Sequence, residues 1–509
     1  MSRTAGTFSG WLGGLALLAV LAFAPGCTTP PSEKAEVVIA LRGMPLTLMP
    51  HRRAESITTM VQSNLFEGLA GFDRDMKVVP LLAASWENPD LLTWQFRLRR
   101  GVAFHDGSPL TAADVVFSIL RARDDPNSVR HSNCAVIAAV TRIDDYTVRL
   151  TTTRPDPVLL HRLRTVFIVP KRTYERLGEA AFTRNPVGTG PYRLVNEIPG
   201  DEIRLAAHDA YWGGRPEFAA ARFIRFQSAD DVESLLRDGA ADMAADIPPA
   251  AAAALSTRPV AGMDIIRHRG LLVRYLGMDT RVPPFQDVRV RRAVALAVDR
   301  PALVLKLRDG YGIPANQYVS QSVFGFNPGL PELPYDPDGA RRLLAEAGHP
   351  DGVTLTLLLP QERRDVGEEL RRQMAPAGIR IQLNALEREA YWRTADTAPF
   401  FLMGAVSDTG DASDIFEDMI HSTTGTYGRD NGGRFHNPEI DRLIEGLSEL
   451  WNRPQRLAAL QETMARTMAE MPRVPLIAED IVFGQSVGIV RSPRVDNYVL
   501  VREIRRRNR

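Results

Sequence analysis

The chain of 509 residues is too long for a single hydrophobic core, and its length predicts two or three domains. Hydrophobic residues at 44% and charged residues at 24% are values of a folded globular protein. The net charge of +1 gives no indication of a nucleic-acid partner, and two cysteines, Cys27 and Cys134, are too few for a disulfide framework or a cysteine zinc site.

The N-terminal residues indicate export. Arg3 is followed by an apolar stretch, Trp11 to Ala24, which is too short to cross a bilayer as a mature helix and predicts a signal peptide over residues 1–26. Ala24-Pro25-Gly26-Cys27 then resembles a bacterial lipoprotein box. In that case Cys27 is lipidated and residues 27–35 form a flexible tether, since two or more acyl chains suffice for stable anchoring. A plain signal peptide with an incidental cysteine is the alternative.

Alternating and amphipathic patterns mark the first elements of the globular region. Glu36–Leu41 alternates and predicts a strand. Apolar residues at every second position of Trp94–Leu98 predict a strand with one buried face. Asp106-Gly107 predicts a turn, and Thr111 with Asp114 has the capping-box spacing that opens an amphipathic helix.

Strand and helix patterns continue through the second half of the chain. Leu272–Met278 predicts a strand, and Val288–Arg300 predicts one helix capped by Asp287. The remaining predictions are a helix between Asp336 and Gly348, strands Val353–Leu359 and Ile379–Leu383 around a helix Val366–Met374, a helix opening at Asn437, a helix Gln455–Met471 and a strand Val474–Ala478. The strand-helix-strand run predicts a parallel crossover unit.

Two long strings resemble a known family. They are W-Q-F-R-L-R-R-G-V-A-F-H-D-G-S-P-L-T-A-A-D-V-V-F-S-I-L at Trp94–Leu120 and M-D-T-R-V-P-P-F-Q-D-V-R-V-R-R-A-V-A-L-A-V-D-R at Met278–Arg300. Both resemble the extracytoplasmic solute-binding proteins of peptide-type ABC transporters, family 5, the dipeptide, oligopeptide and nickel binding group. The resemblance extends from Val37 to Val501.

This resemblance implies an α/β fold of the periplasmic binding protein type (type II, cluster C), with two large lobes joined by hinge strands and an extra small domain. It places the first lobe at residues 36–70, 186–276 and 478–509, the small domain at 71–185 and the second lobe at 277–477. A ligand cleft is then expected where strand ends of the two lobes meet. Closure around the ligand would give the transporter a form to distinguish from the open one.

The segment Gly404–Phe416, G-A-V-S-D-T-G-D-A-S-D-I-F, resembles the family's loop whose first aspartate binds the α-ammonium of a peptide. That aspartate falls on Asp408. A carboxylate suits the role because a dehydrated ammonium needs a charged partner. The alternative is that the aspartates of this loop only form an acidic turn. Ala405 replaces the family's tryptophan, which thins the aromatic wall.

Other candidates surround the same cleft. Arg363 or Arg364 lies near the position where peptide binders carry an arginine for a ligand carboxylate, and a solvated loop arginine is the alternative. The neighbours of Asp408 and three aromatic residues complete the set, with core packing as the alternative for the aromatic ones: Ser407, Thr409, Tyr391, Trp392 and Phe416. The nine histidines have no metal-ligand spacing, so no metal and no cofactor is predicted.

The sequence therefore predicts a periplasmic, membrane-anchored monomer that is not an enzyme. It would capture a peptide-like solute and deliver it to the permease and ATPase subunits of an ABC importer. Alternatives with the same fold bind glutathione, an opine, an oligosaccharide or chelated nickel. A hydrolase is a rival of another class, although G-x-S-x-G, H-E-x-x-H and a nucleophilic cysteine are all lacking. A peptide sensor or chaperone without transport is a further alternative.

Overall fold

The computed structural model describes residues 35–507, so the predicted signal peptide, Cys27 and all of the tether before residue 35 lie outside the described residues. In chain order its strands are β1 (Glu36–Leu41), β2 (Ala70–Phe72), β3 (Val78–Pro80), β4 (Ala83–Asp90), β5 (Thr93–Leu98), β6 (Ile137–Asp144), β7 (Thr147–Thr152), β8 (Tyr192–Ile198), β9 (Glu202–Ala207), β10 (Ala220–Arg225), β11 (Met243–Ala244), β12 (Met263–Met278), β13 (Gly312–Pro314), β14 (Val353–Pro360), β15 (Ile379–Leu386), β16 (Phe400–Ala405), β17 (Arg473–Ser486), β18 (Ile489–Val490) and β19 (Arg505–Arg506). Its α-helices are α1 (Ser56–Leu65), α2 (Ala112–Asp124), α3 (His131–Cys134), α4 (Leu159–Leu163), α5 (Lys171–Leu177), α6 (Glu179–Arg184), α7 (Ala229–Arg237), α8 (Pro249–Thr257), α9 (Val288–Leu296), α10 (Arg300–Arg308), α11 (Pro337–Glu346), α12 (Arg364–Met374), α13 (Arg388–Thr394), α14 (Ser413–Ile415), α15 (Pro438–Gly446) and α16 (Arg453–Glu470). A π-helical turn, Phe416–Ile420, follows α14.

The main sheet is mixed and has two halves. Within residues 35–507 its strands run in the order β15-β14-β16-β12-β17-β11-β1-β10-β9-β8, with β13 added on β17. In the second-lobe half, β14 is parallel to both β15 and β16, which confirms the predicted crossover unit. In the first-lobe half, β1 is parallel to β10 and β11.

Two long antiparallel strands, β12 and β17, connect the halves. The end of β12, from Val273 to Met278, pairs with β16 of the second lobe. The end of β17, at Gly484 and Gln485, pairs with β11 of the first lobe. Because β12 pairs with β16 on one side, β17 pairs with β11 on the other, and the two strands pair with each other, they connect the halves as the hinge strands of a two-lobed α/β fold.

A separate small sheet, β4-β5-β7-β6, lies outside the main sheet. The alternation predicted for β5 is confirmed, since Trp94, Phe96 and Leu98 are all buried. Helix α2 packs beside this sheet and begins with the predicted capping box of Thr111 and Asp114. The buried core around this sheet takes its members from Leu69 to Ile168, while the main sheet is buried by other clusters.

Three predicted elements differ from the structure. The strand predicted over Val474–Ala478 extends from Arg473 to Ser486. The strand predicted over Leu272–Met278 begins earlier, at Met263, because the polar residues of its first half pair across to β17, as Arg267 and Arg269 do with Asp480. The single helix predicted over Val288–Arg300 is wrong. It ends at Leu296, and Asp299 caps a new helix, α10, by accepting a hydrogen bond from the Ala302 N–H at 3.0 Å.

Helix boundaries set by local caps agree with the sequence. Asp336 caps α11 through the Gly339 N–H at 2.8 Å, and Gly348 has the positive φ of 89° expected after a helix end. Asn437 caps α15 in the same way. None of the helices in the described part of the chain is long and apolar enough to span a membrane.

Candidate functional site

The carboxyl ends of the parallel strands bring the predicted residues of the second lobe to one edge of the sheet. Arg363 follows β14, Trp392 lies in α13 after β15, and Asp408 follows β16. On the first-lobe side, Arg42 follows β1 and Asp246 follows β11, and both line one small cavity of about 60 Å³. Ligands of open α/β sheets bind beyond such strand ends, so this edge is the candidate site.

Asp408 lies at the surface of a cavity with walls from different parts of the fold. The cavity has a volume of about 30 Å³ and is lined by Ala54, Ser56, Thr59, Arg130, Asn133, His161, Arg164, Thr165, Asp408, Thr409 and Tyr498. Asp408 itself is solvent-exposed. Among residues 35–507 no hydrogen bond or ion pair engages its carboxylate, whereas Arg164 in the same wall is 3.2 Å from Asp496. An exposed carboxylate without a partner is available to a ligand cation.

The loop that carries Asp408 is held in shape by its own side chains. The Thr409 N–H donates to Asp414 Oδ2 at 2.9 Å, and the hydroxyls of Thr409 and Ser407 lie 2.9 Å and 3.1 Å from the same oxygen. The Asp411 carboxylate accepts hydrogen bonds from Nε and Nη2 of Arg456 at 2.8 Å and 2.9 Å. Ser407 and Thr409 are buried and fix the backbone on either side of Asp408, and a direct ligand contact for them stays a prediction.

Asp414 makes the stability of this loop depend on pH. Burial raises the pKa of Asp414 to about 7, with the hydrogen bonds from Thr409 opposing the rise and the charges of Asp408 and Asp411 adding to it. The folded protein therefore holds this proton more tightly than the unfolded chain. Its contribution to stability is complete below the unfolded pKa of about 4 and is lost as pH rises through about 7.

We expect Asp414→Asn to flatten this pH dependence. In the wild type the Asp414 contribution to the free energy of unfolding should fall by about 2 kcal/mol between pH 5 and pH 7. Urea unfolding at pH 5, 6 and 7 measures the slope for both proteins, and their difference removes the effect of other titrating groups. Equal slopes in the two proteins would refute the assignment.

The structure separates the two candidate arginines. Arg363 is partly buried, and burial followed by the charge of Arg274 lowers its pKa. It faces Glu479, which also pairs with Arg274 at 2.7 Å and Arg308 at 3.2 Å. Burial alone would raise the pKa of Glu479, but the three arginines lower it to about 2. Arg364 is exposed on α12 and lies 3.7 Å from Glu368, so of the two arginines Arg363 is the one that lies among the charged groups of the strand ends, and a ligand contact for it stays a prediction.

The aromatic candidates divide between core and surface. Tyr391 is buried and donates its hydroxyl to the Leu402 carbonyl at 2.6 Å, and Phe416 is buried in the same core. Trp392 packs against the Tyr391 ring at 5.2 Å but is 56% exposed. Trp392 is therefore the aromatic side chain of this set that a ligand can reach, and roles for Tyr391 and Phe416 in binding stay predictions.

Charged contacts join α4 and the residues before it to the π-helical turn that follows the Asp408 loop. Arg162 of α4 lies 2.7 Å from Glu417 and 2.9 Å from Asp156, and Arg154 lies 3.7 Å from the same Glu417. Gly410, with φ of 70°, lies so close to the segment between β2 and β3 that a Cβ there would sit 3.1 Å from Met76 Cβ. The Asp408 loop therefore packs directly against this segment.

Several residues that line the Asp408 cavity have no signal in the sequence. Arg130, His161, Arg164 and Tyr498 line the Asp408 cavity although they lie far from Asp408 along the chain. No motif marks them, because each stands in an ordinary helix or loop. Within residues 35–507 no group of three or more histidine, cysteine, aspartate and glutamate side chains is placed to hold a metal ion.

Comparisons with known proteins agree on one family. Residues 77–427 match the family model "Bacterial extracellular solute-binding proteins, family 5 Middle". The glutathione-binding protein GsiB of Pectobacterium atrosepticum is 28% identical over 476 residues, which cover 90% of this chain and 91% of that protein. HbpA2 from Haemophilus parasuis superposes with a TM-score of 0.82 at 22% identity, over 93% of this chain and 100% of that one. DppA from Helicobacter pylori in complex with the peptide STSA gives 0.81 at 20% identity, over 92% and 98%. At these identities the two structures show the shared fold.

Proposed function

The chain belongs to the bacterial extracellular solute-binding proteins, family 5, and on that premise we propose that it is the solute-binding component of an ABC importer. It captures a peptide-like solute in the cleft between the lobes and delivers it to the membrane permease. The observation that carries this proposal is Asp408, an exposed carboxylate without an ion-pair partner in residues 35–507, at a strand end inside a cavity walled by both lobes. An ammonium group of the solute would be the charge partner that the Asp408 carboxylate lacks.

Capture works through the hinge strands β12 and β17. They divide the molecule into a first lobe (36–70, 186–276 and 478–509), a small domain (71–185) and a second lobe (277–477), a division supported by the separate hydrophobic clusters of the fold. The Asp408 cavity of about 30 Å³ is too small for a whole tripeptide, so entry requires the walls to part. A solute that contacts both walls then favours the closed form by its differential affinity.

The solute class follows from the charges of the cleft. Asp408 suits an ammonium, whereas Arg363 with Arg42, Arg274 and Arg308 outnumbers the acids Asp246 and Glu479 at the strand ends. A solute with an ammonium at one end and carboxylate at the other satisfies both. Glutathione, a tripeptide-like solute, has this charge pattern, and it is the ligand in the printed name of the GsiB relatives.

Arg363 and Arg364 provide a matched pair of variants. We expect Arg363→Gln to weaken the binding of a carboxylate-bearing peptide by about 10-fold, because a charge-assisted hydrogen bond is lost from a partly buried site. Arg364→Gln should leave the dissociation constant unchanged, since that side chain is exposed and lies beside Glu368. Isothermal titration calorimetry measures both. An equal effect of the two substitutions would exclude Arg363 as the ligand arginine.

We further propose that the protein works outside the cytoplasm and is held at a membrane by lipidated Cys27. The family is extracellular by its description. The cysteine after a small residue and an apolar segment supports the anchor. Mass spectrometry of the mature protein should find an acylated N-terminal Cys27, and Cys27→Ser should release the protein from membranes. A mature chain with an unmodified N-terminus at another residue would contradict the anchor.

The test of function is binding followed by uptake. The protein lacking residues 1–27 is purified from its own host and examined by native mass spectrometry, and any co-purified solute is identified. A released peptide or glutathione supports the proposal. Loss of uptake of that labelled solute on gene deletion supports import, whereas unchanged uptake points to a sensor or chaperone. A non-peptide solute such as an opine would retain the binding-protein function and overturn the peptide class.

A further inference from the structure

Arg130 is a buried cation that lacks an acidic partner. Arg130 lies between α2 and α3, directly before the first residue of α3, and is 7% exposed. Nη2 donates to the Thr59 hydroxyl at 3.0 Å, but Nε is buried without a hydrogen-bond partner in residues 35–507. No carboxylate of that part of the chain lies within ion-pair distance of it. A buried guanidinium in this state is costly unless an anion is supplied.

The Arg130 guanidinium and the Asp408 carboxylate face the same cavity without touching. Both line it, and no ion pair joins them in residues 35–507, so a gap separates the two charges. Burial lowers the pKa of Arg130, while Tyr498 and the negative charge of Asp408 act to raise it. The remaining wall adds hydrogen-bonding groups from Asn133, Thr165 and His161, and the His161 Nδ1 is itself buried without a partner.

The two unpaired charges limit what can fill the gap. The cavity of about 30 Å³ holds about two waters, so its walls must part to admit a solute, and the volume alone does not select one. A solute that pairs both charges is cationic where it meets Asp408 and anionic where it meets Arg130. A single carbon that carries both an ammonium and a carboxylate meets this condition. The N-terminus of an ordinary α-linked peptide does not, because a neutral amide follows its ammonium carbon.

We propose that Asp408 and Arg130 together bind an intact α-amino-acid head group, with the ammonium on Asp408 and the carboxylate on Arg130. This inference rests on the proposed function and narrows its solute class. The protein then selects γ-linked glutamyl peptides, whose first residue keeps both charges on one carbon, over α-linked peptides. Arg130 is the residue that sets this preference, and Arg363 receives the carboxylate at the other end of the solute.

A series of three ligands tests the assignment. Reduced glutathione carries both head-group charges, 4-aminobutanoyl-Cys-Gly keeps the ammonium and lacks the carboxylate, and α-Glu-Cys-Gly has the α-linked geometry. Calorimetry on the wild type should find glutathione bound about 10- to 30-fold more tightly than either analogue. In Arg130→Gln, glutathione should bind no more tightly than 4-aminobutanoyl-Cys-Gly, and that analogue should bind as it does to the wild type. Arg130→Lys should restore part of the preference for glutathione.

The controls separate this inference from the function itself. Arg172→Gln removes an exposed arginine of the same domain and should change none of the three affinities. If Arg130→Gln fails to fold, the affinities of the wild type for the three ligands still test the head-group assignment. Equal binding of all three ligands by the wild type, or an unchanged preference in Arg130→Gln, overturns the head-group assignment and leaves peptide capture intact. If the wild type binds neither these ligands nor ordinary peptides, the head-group assignment and the proposed peptide capture are both overturned.

Discussion

Asp408→Asn is expected to weaken the binding of an ammonium-bearing solute by at least about 30-fold. Removing one partner of a desolvated charge pair costs about 2–5 kcal/mol, because the remaining charge is left unpaired. Arg130 increases the effect, since its positive charge then repels the ammonium in a cavity that no longer contains a carboxylate. Isothermal titration calorimetry at pH 7, with the ligand identified from the purified protein, measures the change.

The control for this substitution lies at the opposite edge of the same sheet. Asp351 is exposed and precedes β14, whereas the cleft lies beyond the carboxyl ends of the strands. Asp351→Asn should therefore bind the solute as the wild type does. The melting temperature of Asp408→Asn should also stay unchanged, because an exposed side chain without hydrogen bonds in residues 35–507 contributes little to stability. If Asp408→Asn binds the solute within about threefold of the wild-type affinity, Asp408 is not the ammonium site.

Elements determined by nearby residues could be predicted from the sequence. The helix after Asp336 needs only a cap, a proline in its first turn and a glycine after its end, and all three act within the segment. The strand β5 needs only alternation, because one face of its sheet is buried. The break at Leu296 had a local signal as well, since Asp299 precedes Pro301 in the order of a cap and a first-turn proline.

Contacts between distant segments could not be predicted in this way. The first half of β12 is polar, and its place in the sheet depends on Asp480 of β17. The position of Asp408 can be predicted because its loop resembles a known string, but Arg130, which lines the same cavity, lies far earlier in the chain, before β6. No spacing rule links the two residues. Their position in one cavity is a property of the folded chain.

Arg456→Met is expected to lower the free energy of unfolding by about 3–5 kcal/mol, because it leaves the Asp411 carboxylate buried without its cation. Asp411 and Arg456 are both almost fully buried. Besides its two bonds to Asp411, Arg456 donates to the Leu447 carbonyl at 2.6 Å and the Ser413 hydroxyl at 2.8 Å. Met fills much of the volume but replaces none of these bonds. The substitution should also weaken solute binding, since Asp411 anchors the loop that positions Asp408.

Urea unfolding followed by circular dichroism measures this effect against two further variants. Arg466→Met removes an exposed arginine of the same helix, 2.7 Å from Glu462, and should change the free energy of unfolding by no more than about 0.5 kcal/mol. Asp411→Asn combined with Arg456→Met should be more stable than Arg456→Met alone, because the unpaired buried charge is gone. If Arg456→Met unfolds at the urea concentration of Arg466→Met, the buried pair does not hold the loop, and the shape of the Asp408 site must come from the hydrogen bonds around Asp414.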